Sequence, residues 1–177
     1  RGSGTKVTAR RVPYPIGRRV SLRANFRRAG ITGTSRMLGA AQVAGEATAC
    51  AALGLAEGAP LWRIEGQSLA DGTPMGLGVH WLSAERFPAF DAAFREAGAS
   101  MTAALKRFGI DDYVRLSTRL TARPADEREA GLLAIEPGAA VMVSVAVDGL
   151  PDLTPFHLVT SVFAGDRVEM VVAPFEE

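Results

Sequence analysis

The sequence predicts an α+β fold, built mainly from an antiparallel sheet with flanking helices. Residues 53–82 and residues 133–163 follow the same order: a helix end, a glycine turn, a strand, a second turn and another strand. Residues 112–122 alternate between apolar and polar side chains, as a strand with one buried face does. Strands joined by short turns favour an antiparallel sheet over a parallel one.

The two similar stretches indicate an internal duplication. Gly58 and Gly138 hold equivalent places in the two stretches, as do Pro74 and Pro155, and both pairs are separated by almost the same length of chain. Each unit is predicted to be a helix followed by an antiparallel hairpin, and two such units can pair into one twisted sheet with helices packed on a face. Turn chemistry common to many hairpins would give the same spacing, so both explanations remain open.

The first part of the chain is predicted to contain a linker, a short helix and a strand. Arg10–Arg19 holds two prolines and a glycine, which predicts an extended linker. Ser21 can cap a short helix that stops at Gly30. Ser35–Val43 is predicted to be a strand, and Glu46–Leu53 a helix.

The second part of the chain contains the remaining elements. Ala89–Ala97 has the periodicity of an amphipathic helix and is followed by a glycine. A second helix, 101–109, follows Ser100 and closes with a glycine. Ala125–Leu133 is predicted to be the helix of the second unit, and Arg167–Val172 a closing strand.

The composition is typical of one globular domain. The chain has 177 residues, of which 47% are hydrophobic and 22% are charged, and this is enough for a single core. No apolar run approaches the roughly 20 residues of a membrane-spanning helix, and no signal peptide is recognisable. We therefore expect a cytoplasmic protein without a membrane partner. The single Cys50 excludes an internal disulfide.

Catalytic and metal-binding patterns are not evident in the sequence. His80 and His157 stand apart, with no HxH, HExxH or cysteine partner, so we expect neither a metal nor another cofactor. No nucleophile with a base, and no carboxylate pair, occurs at a usable spacing. The sequence therefore favours a binding domain over an enzyme.

Charge is distributed unevenly along the chain. Residues 1–45 contain ten of the 20 Lys and Arg residues, and all 19 Asp and Glu residues follow them. A basic segment indicates an acidic partner or a polyanion such as DNA, and a solvated Arg-rich linker would explain the pattern equally well. No recognition helix accompanies the charge, so we do not expect this segment to read DNA by itself.

Several separated motifs resemble those of one protein family. Residues 1–7, RGSGTKV, resemble the last strand of the wing in HutC-type winged helix-turn-helix repressors of the GntR superfamily. The later motifs LADGTP, RFP, Ser-x-x-x-x-Leu-x-x-x-Gly and FAGDRVEMVV occur in the order of the UTRA effector-binding domain, which has the chorismate lyase fold. The stretch DYVRLSTRLTAR most resembles regulators of phosphonate and phosphate metabolism.

This resemblance implies an organisation and a function. Residues 1–20 would be the end of the wing and a linker, and residues 21–177 the UTRA domain. The domain would bind a small anionic effector, form a homodimer, and contact operator DNA only through a missing N-terminal reader. A sensor of sugar phosphates or carboxylates, a chorismate lyase-like enzyme, and a dimerisation module without a ligand are the alternatives.

Strand alternation predicts part of the binding site. In residues 75–82, Met75, Leu77, Val79 and Trp81 fall on one side, and Gly76, Gly78 and His80 on the other. Glycines in a strand leave room for a ligand or for a tightly packed helix. Gly66 and Ser68 could continue this face on the preceding strand.

The other candidates would supply hydrogen-bond donors and charge. Ser100 and the amides of Met101 and Thr102 would face an anion from a helix N-terminus, and the matching serine binds the ligand anion in UTRA relatives. Arg115 and Tyr113 share a strand face, as does Arg119, which could bind the anion instead. His157 stands where UTRA sugar-phosphate sensors carry a glutamate; it could bind an anion or be a core histidine. The candidate effector-binding residues are Ser68, His80, Ser100, Thr102, Tyr113, Arg115 and His157.

Overall fold

The computed structural model of the protein describes residues 11–17, 25–26 and 30–172. The strands are β1 (Val12–Pro15), β2 (Gly33–Ala44), β3 (Pro60–Ala70), β4 (Thr73–Ser83), β5 (Val114–Pro124), β6 (Ala140–Gly149), β7 (Pro155–Ala164) and β8 (Val168–Val171). The helices are α1 (Ala47–Ala52), α2 (Phe90–Glu96), α3 (Met101–Lys106) and α4 (Glu127–Leu133). In the described part of the chain, no helix is long and apolar enough to span a membrane.

The main sheet has six antiparallel strands in the order β2-β3-β4-β7-β6-β5. This confirms the predicted α+β class. The order β2-α1-β3-β4 along the chain is repeated as β5-α4-β6-β7. The two units meet where β4 pairs with β7, so the sheet has a pseudo-twofold arrangement that supports the predicted duplication.

Backbone hydrogen bonds at equivalent turns also repeat. The amide of Gly45 donates to the carbonyl of Ala59 at 2.9 Å, and the amide of Ala125 donates to the carbonyl of Ala139 at 2.8 Å. Each of these bonds ties the residue before a unit's helix to the turn that follows the helix. The repetition is therefore one of geometry as well as of sequence spacing.

The helices of the two units, α1 and α4, lie on one face of the sheet, as predicted, and α2 and α3 cover the other face. On one face, α1 places Cys50 against Leu61, and α4 places Leu133 in a cluster with Leu77. On the other face, α2 and α3 form the largest core cluster, in which Phe94 packs with Trp62 of β3. The segment between the two units, which contains α2 and α3, therefore provides a second covering layer.

The N-terminal segment contains a strand that the sequence analysis interpreted as linker. β1 pairs in parallel with β8, and Val12 and Tyr14 are buried. Its two prolines, Pro13 and Pro15, are tolerated because the strand belongs to a two-stranded ribbon rather than to the centre of a sheet. The predicted helix after Ser21 lies mostly outside the described residues.

Local capping chemistry explains the helix boundaries. The Ser100 hydroxyl accepts a hydrogen bond from the amide of Ala103 at the start of α3. Asp126 and Glu129 form a capping box at the start of α4. Gly98, with a φ of 60°, follows α2, as expected for a residue that ends a helix.

Candidate functional site

A polar cavity of about 140 Å³ lies between the main sheet and the α2–α3 layer. A neighbouring cavity of about 110 Å³ shares six of its lining residues and extends over Gly66, Gly76 and Gly78. The predicted glycine face thus provides space beside the sheet. Polar groups that converge on a cavity are typical of ligand sites.

All seven predicted site residues border the polar cavity, although they come from separate parts of the chain. Strands β3 and β4 supply one residue each, as do β5 and β7, and the others come from α3 and from the residues that precede α3 and β5. They are Ser68, His80, Ser100, Thr102, Tyr113, Arg115 and His157. Their binding of an effector remains a prediction.

A β-bulge decides which arginine faces the cavity. Arg115 pairs with Asp148 and Arg119 pairs with Val145, but Leu116 is an extra residue between these pairs. A bulge reverses the alternation of the residues beyond it. Arg119 therefore lies on the opposite face, beside a larger groove of about 670 Å³ with a mainly apolar lining. The polar cavity remains the better site because several hydrogen-bonding groups converge on it.

The buried face predicted for β5 is wrong for the residues that follow the bulge. Leu120 was expected on the buried face but is 38% exposed. The bulge changes its side, and β5 is an edge strand of the main sheet. Apolar alternation alone does not show whether a strand lies at the edge of a sheet or between two other strands.

Asp148 is a charged cavity residue that the sequence analysis missed. Its Oδ1 accepts a hydrogen bond from Arg115 Nε at 2.6 Å, and its Oδ2 lies 2.8 Å from His157 Nδ1. Burial by itself would raise the pKa of Asp148, but the hydrogen bonds and charges of His157 and Arg115 outweigh it and lower the pKa. Asp148 is therefore an ionised acceptor at neutral pH.

The two histidines contact each other although they are distant in the sequence. His80 Nδ1 lies 3.0 Å from His157 Nε2, and the two ring planes are nearly parallel, with an interplanar angle of 14°. Burial lowers the pKa of His80 to about 3, and the neighbouring His157 acts in the same direction. Arg115, Asp148, His157 and His80 thus form one continuous hydrogen-bonded chain, which is called the polar chain below.

Gly78 makes room for the end of the polar chain. A Cβ atom at this position would lie 2.9 Å from His80 Nε2. The absence of a side chain at Gly78 is therefore required for the observed position of the His80 ring. This is a specific reason for one of the glycines that the strand pattern singled out.

The opposite side of the cavity carries hydroxyl groups. The Ser100 hydroxyl accepts from the Ala103 amide at 3.4 Å and retains its own hydrogen for a further acceptor. Thr102 Oγ1 lies 2.9 Å from the Tyr113 hydroxyl. Burial is the main cause of the raised pKa of Tyr113. The hydroxyl of Tyr113 therefore stays protonated at neutral pH.

The N-terminal strand also contributes to the surroundings of Arg115. Burial raises the pKa of Tyr14 to about 12, while the charge of Arg115 and a hydrogen bond to it act in the opposite direction. Tyr14 lies in β1, whose packing partner is β8. The strand that the sequence analysis had taken for linker thus reaches the charged part of the site.

The sequence contained a signal for Asp148. In β6, Val141, Val143, Val145 and Val147 alternate with Met142, Ser144, Ala146 and Asp148. The second set faces the cavity side, and Asp148 is its only charged member. Within the described residues, no group of three or more His, Cys, Asp or Glu side chains is arranged to hold a metal ion.

Comparison with known proteins identifies a matching domain family and a related protein. Residues 28–169 match the UTRA domain family. RB1450 of Rhizobium meliloti strain 1021, an uncharacterized HTH-type transcriptional regulator, is 36% identical over 170 residues, which cover 96% of this chain and 69% of that protein.

Solved structures share the fold at lower sequence identity. The crystal structure of PhnF from Mycobacterium smegmatis has a TM-score of 0.83 at 22% identity, covering 94% of this chain and 73% of that chain. The effector domain of PhnF gives a TM-score of 0.79 at 21% identity, covering 93% and 100%. A GntR-family transcriptional regulator from Enterococcus faecalis gives a TM-score of 0.66 at 20% identity, covering 79% and 99%.

These similarities define the class as a UTRA domain, and the relative that is 36% identical is an HTH-type transcriptional regulator. The chain belongs to the UTRA domain family, as its sequence motifs indicated.

Proposed function

We propose that this domain senses a small anion, such as phosphate, a phosphonate or a related metabolite, in the polar cavity. It acts as part of a HutC-type regulator of phosphonate or phosphate metabolism and is not an enzyme. The observation that carries the proposal is the position of Arg115 at the cavity. A guanidinium has five N–H groups, more than the bonds of Arg115 to Asp148 and Thr118 use.

The other cavity groups support an anion with several acceptor oxygens. Ser100, Thr102 and Tyr113 bring hydroxyls from one side, and His80 and His157 bring imidazoles from the other. The cavity volume of about 140 Å³ favours a small ligand. His157 replaces the glutamate that would bind an amino sugar, and because its two ring nitrogens contact Asp148 and His80, it acts on an anion through His80.

Ligand binding would be transmitted to DNA through the N-terminal side of the domain. We propose that the regulator is a homodimer, because operator sites with twofold symmetry require one, and that operator DNA is bound by an N-terminal winged helix. Tyr14 gives β1 a connection to the ligand site. A ligand changes DNA affinity only if it binds two states of the regulator differently.

The decisive test compares two arginines of the same strand. Inorganic phosphate, inorganic sulfate and methylphosphonate are titrated into the wild type, Arg115→Gln and Arg119→Gln, with binding followed by calorimetry. Loss of a charge-assisted hydrogen bond costs about 1.5–3 kcal/mol, so Arg115→Gln should weaken binding about 10- to 150-fold. Arg119→Gln should bind like the wild type because Arg119 lies on the opposite face.

A second variant separates loss of binding from loss of folding. Arg115→Gln leaves Asp148 without its cationic partner, so the double variant with Asp148→Asn restores a neutral pair. The double variant should fold and still bind the anions weakly. Absence of binding to all three anions by the wild type, or equal losses in the two arginine variants, would refute the proposal. Turnover of an aromatic carboxylate would favour the enzyme alternative.

A further inference from the structure

The polar chain fixes the direction of its hydrogen bonds. Ionised Asp148 can only accept, so His157 must carry a hydrogen on Nδ1, which lies 2.8 Å from Asp148 Oδ2. The remaining nitrogen of His157, Nε2, faces His80 Nδ1 at 3.0 Å. One of these two nitrogens must donate and the other must accept.

Only two arrangements satisfy this contact when His80 is neutral. If His157 is neutral, its Nε2 accepts from His80 Nδ1–H, and His80 Nε2 then carries a lone pair. If His157 is cationic, its Nε2–H donates to His80 Nδ1, and His80 Nε2 then carries a hydrogen. Burial lowers the pKa of His80 to about 3, so a cationic His80 is not populated near neutral pH.

We propose that His80 is the specificity-determining residue of the site, and that protonation of His157 switches His80 Nε2 from a hydrogen-bond acceptor to a donor. A proton arrives at His80 Nε2, and the hydrogen on His80 Nδ1 moves to His157 Nε2. The pair gains one proton, and the new positive charge lies on His157 beside Asp148. His80 stays neutral and changes only its tautomer.

The switch selects ligands by their hydrogen-bonding chemistry. A fully deprotonated anion such as sulfate presents only acceptor oxygens, so it pairs with His80 when Nε2 carries a hydrogen. The anion therefore binds with the uptake of one proton, and its affinity increases as the pH falls through the midpoint of the switch. A ligand hydroxyl or amine can donate to His80 in the other state. This selectivity rests on the proposed function, but the tautomer switch itself does not.

Other charged or titratable groups surround the pair. The carboxylate of Asp148 on β6 contacts His157, and the guanidinium of Arg115 on β5 pairs with that carboxylate. Tyr113 and, on β1, Tyr14 have raised pKa values that keep both phenols neutral. Nothing else that titrates near neutral pH borders the cavity within the described residues. The switch is therefore attributed to the two histidines.

The test is an NMR titration of the imidazole nitrogens in ¹⁵N-labelled protein. Spectra are recorded over about pH 5 to 9, the range in which histidines usually titrate. Both rings should report one midpoint, with His157 becoming cationic while the hydrogen of neutral His80 moves from Nδ1 to Nε2. Separate midpoints, a fixed His80 tautomer or a cationic His80 would overturn the proposal.

Variants identify the groups that set the midpoint. Asp148→Asn removes the charge that stabilises cationic His157, so the shared midpoint should fall by about 1 to 3 pH units. Arg119→Gln changes a charge on the opposite face and should leave the midpoint in place. An unchanged midpoint in Asp148→Asn would contradict the assignment, and the wild-type titration decides the switch even if this variant does not fold.

A ligand experiment distinguishes this inference from the proposed function. Sulfate does not titrate near neutral pH, so calorimetry in buffers of different ionisation enthalpy reports protons taken up by the protein. Uptake approaching one proton per sulfate above the midpoint, and none well below it, supports the switch. Sulfate binding without uptake refutes the selectivity but leaves the anion sensor intact. If sulfate, phosphate and methylphosphonate all fail to bind, the proposed function fails, and the NMR titration alone decides the switch.

Discussion

Replacement of Gly78 by alanine should disrupt the polar chain without changing any charge. The new Cβ would lie 2.9 Å from His80 Nε2 and 3.5 Å from Cε1, whereas good contacts begin at about 3.5 Å. The ring must move, and the movement weakens its contact with His157. Overpacking of this kind costs about 1–3 kcal/mol. For a domain of this size the melting temperature should fall by about 2 to 12 °C.

Gly66 provides a matched control because it pairs directly with Gly78 across β3 and β4. A Cβ at Gly66 would meet the Arg36 carbonyl at 3.6 Å and Phe94 at 4.0 Å, which are ordinary contacts. Gly66→Ala should therefore leave the melting temperature unchanged or raise it slightly, because alanine restricts the unfolded chain. Scanning calorimetry measures both variants. Equal melting temperatures for the two variants would refute the role assigned to Gly78.

Two further predictions concern the carboxylates. Asp148→Ala leaves Arg115 and His157 without their shared acceptor, so urea unfolding should show a loss of about 3–5 kcal/mol; a loss below about 1 kcal/mol would contradict the polar chain. The pKa of Asp148 is lowered despite burial, and the hydrogen bond from Arg123 lowers that of Glu129. Their stabilisation is present above the unfolded carboxylate pKa of about 4 and is lost as the pH falls through the folded values. The unfolding free energy should therefore decline in acid, less steeply in Glu129→Gln, and equal slopes would contradict this assignment.

The sequence predicted those parts of the fold that depend on local chemistry. Ser100 caps α3 as expected, and the strand predicted over Ser35–Val43 is β2, which extends slightly further at each end. β1 was missed because its partner, β8, lies at the opposite end of the described chain. A short segment with two prolines contains no local sign of such pairing. The strand becomes evident only in the structure, where β1 pairs with β8 and Val12 and Tyr14 are buried.

The same distinction explains the prediction of the site. Alternation along each strand, together with the short turn between β3 and β4, was enough to predict His80 and Ser68 on one face. The choice between Arg115 and Arg119 required the bulge at Leu116, which depends on how β5 pairs with β6. The contact between His80 and His157 was equally invisible, because it depends on the pairing of β4 with β7. The face on which a residue lies was therefore predictable where it depends on local alternation. The contacts between residues were not predictable, because they depend on how the strands pair.

The duplicated sheet has a symmetric backbone but an asymmetric site. The sequence offset that relates Gly58 to Gly138 also relates Ser68 to Asp148, and the offset that relates Pro74 to Pro155 also relates Gly76 to His157. The first unit thus carries small side chains where the second carries titratable ones. Asp148 and His157 lie in the second unit with Arg115, and His80 is the first unit's contribution to the polar chain. The small residues of the first unit therefore leave room for a ligand, and the second unit supplies most of the charged groups. A ligand in the cavity would make most of its electrostatic contacts with the second unit.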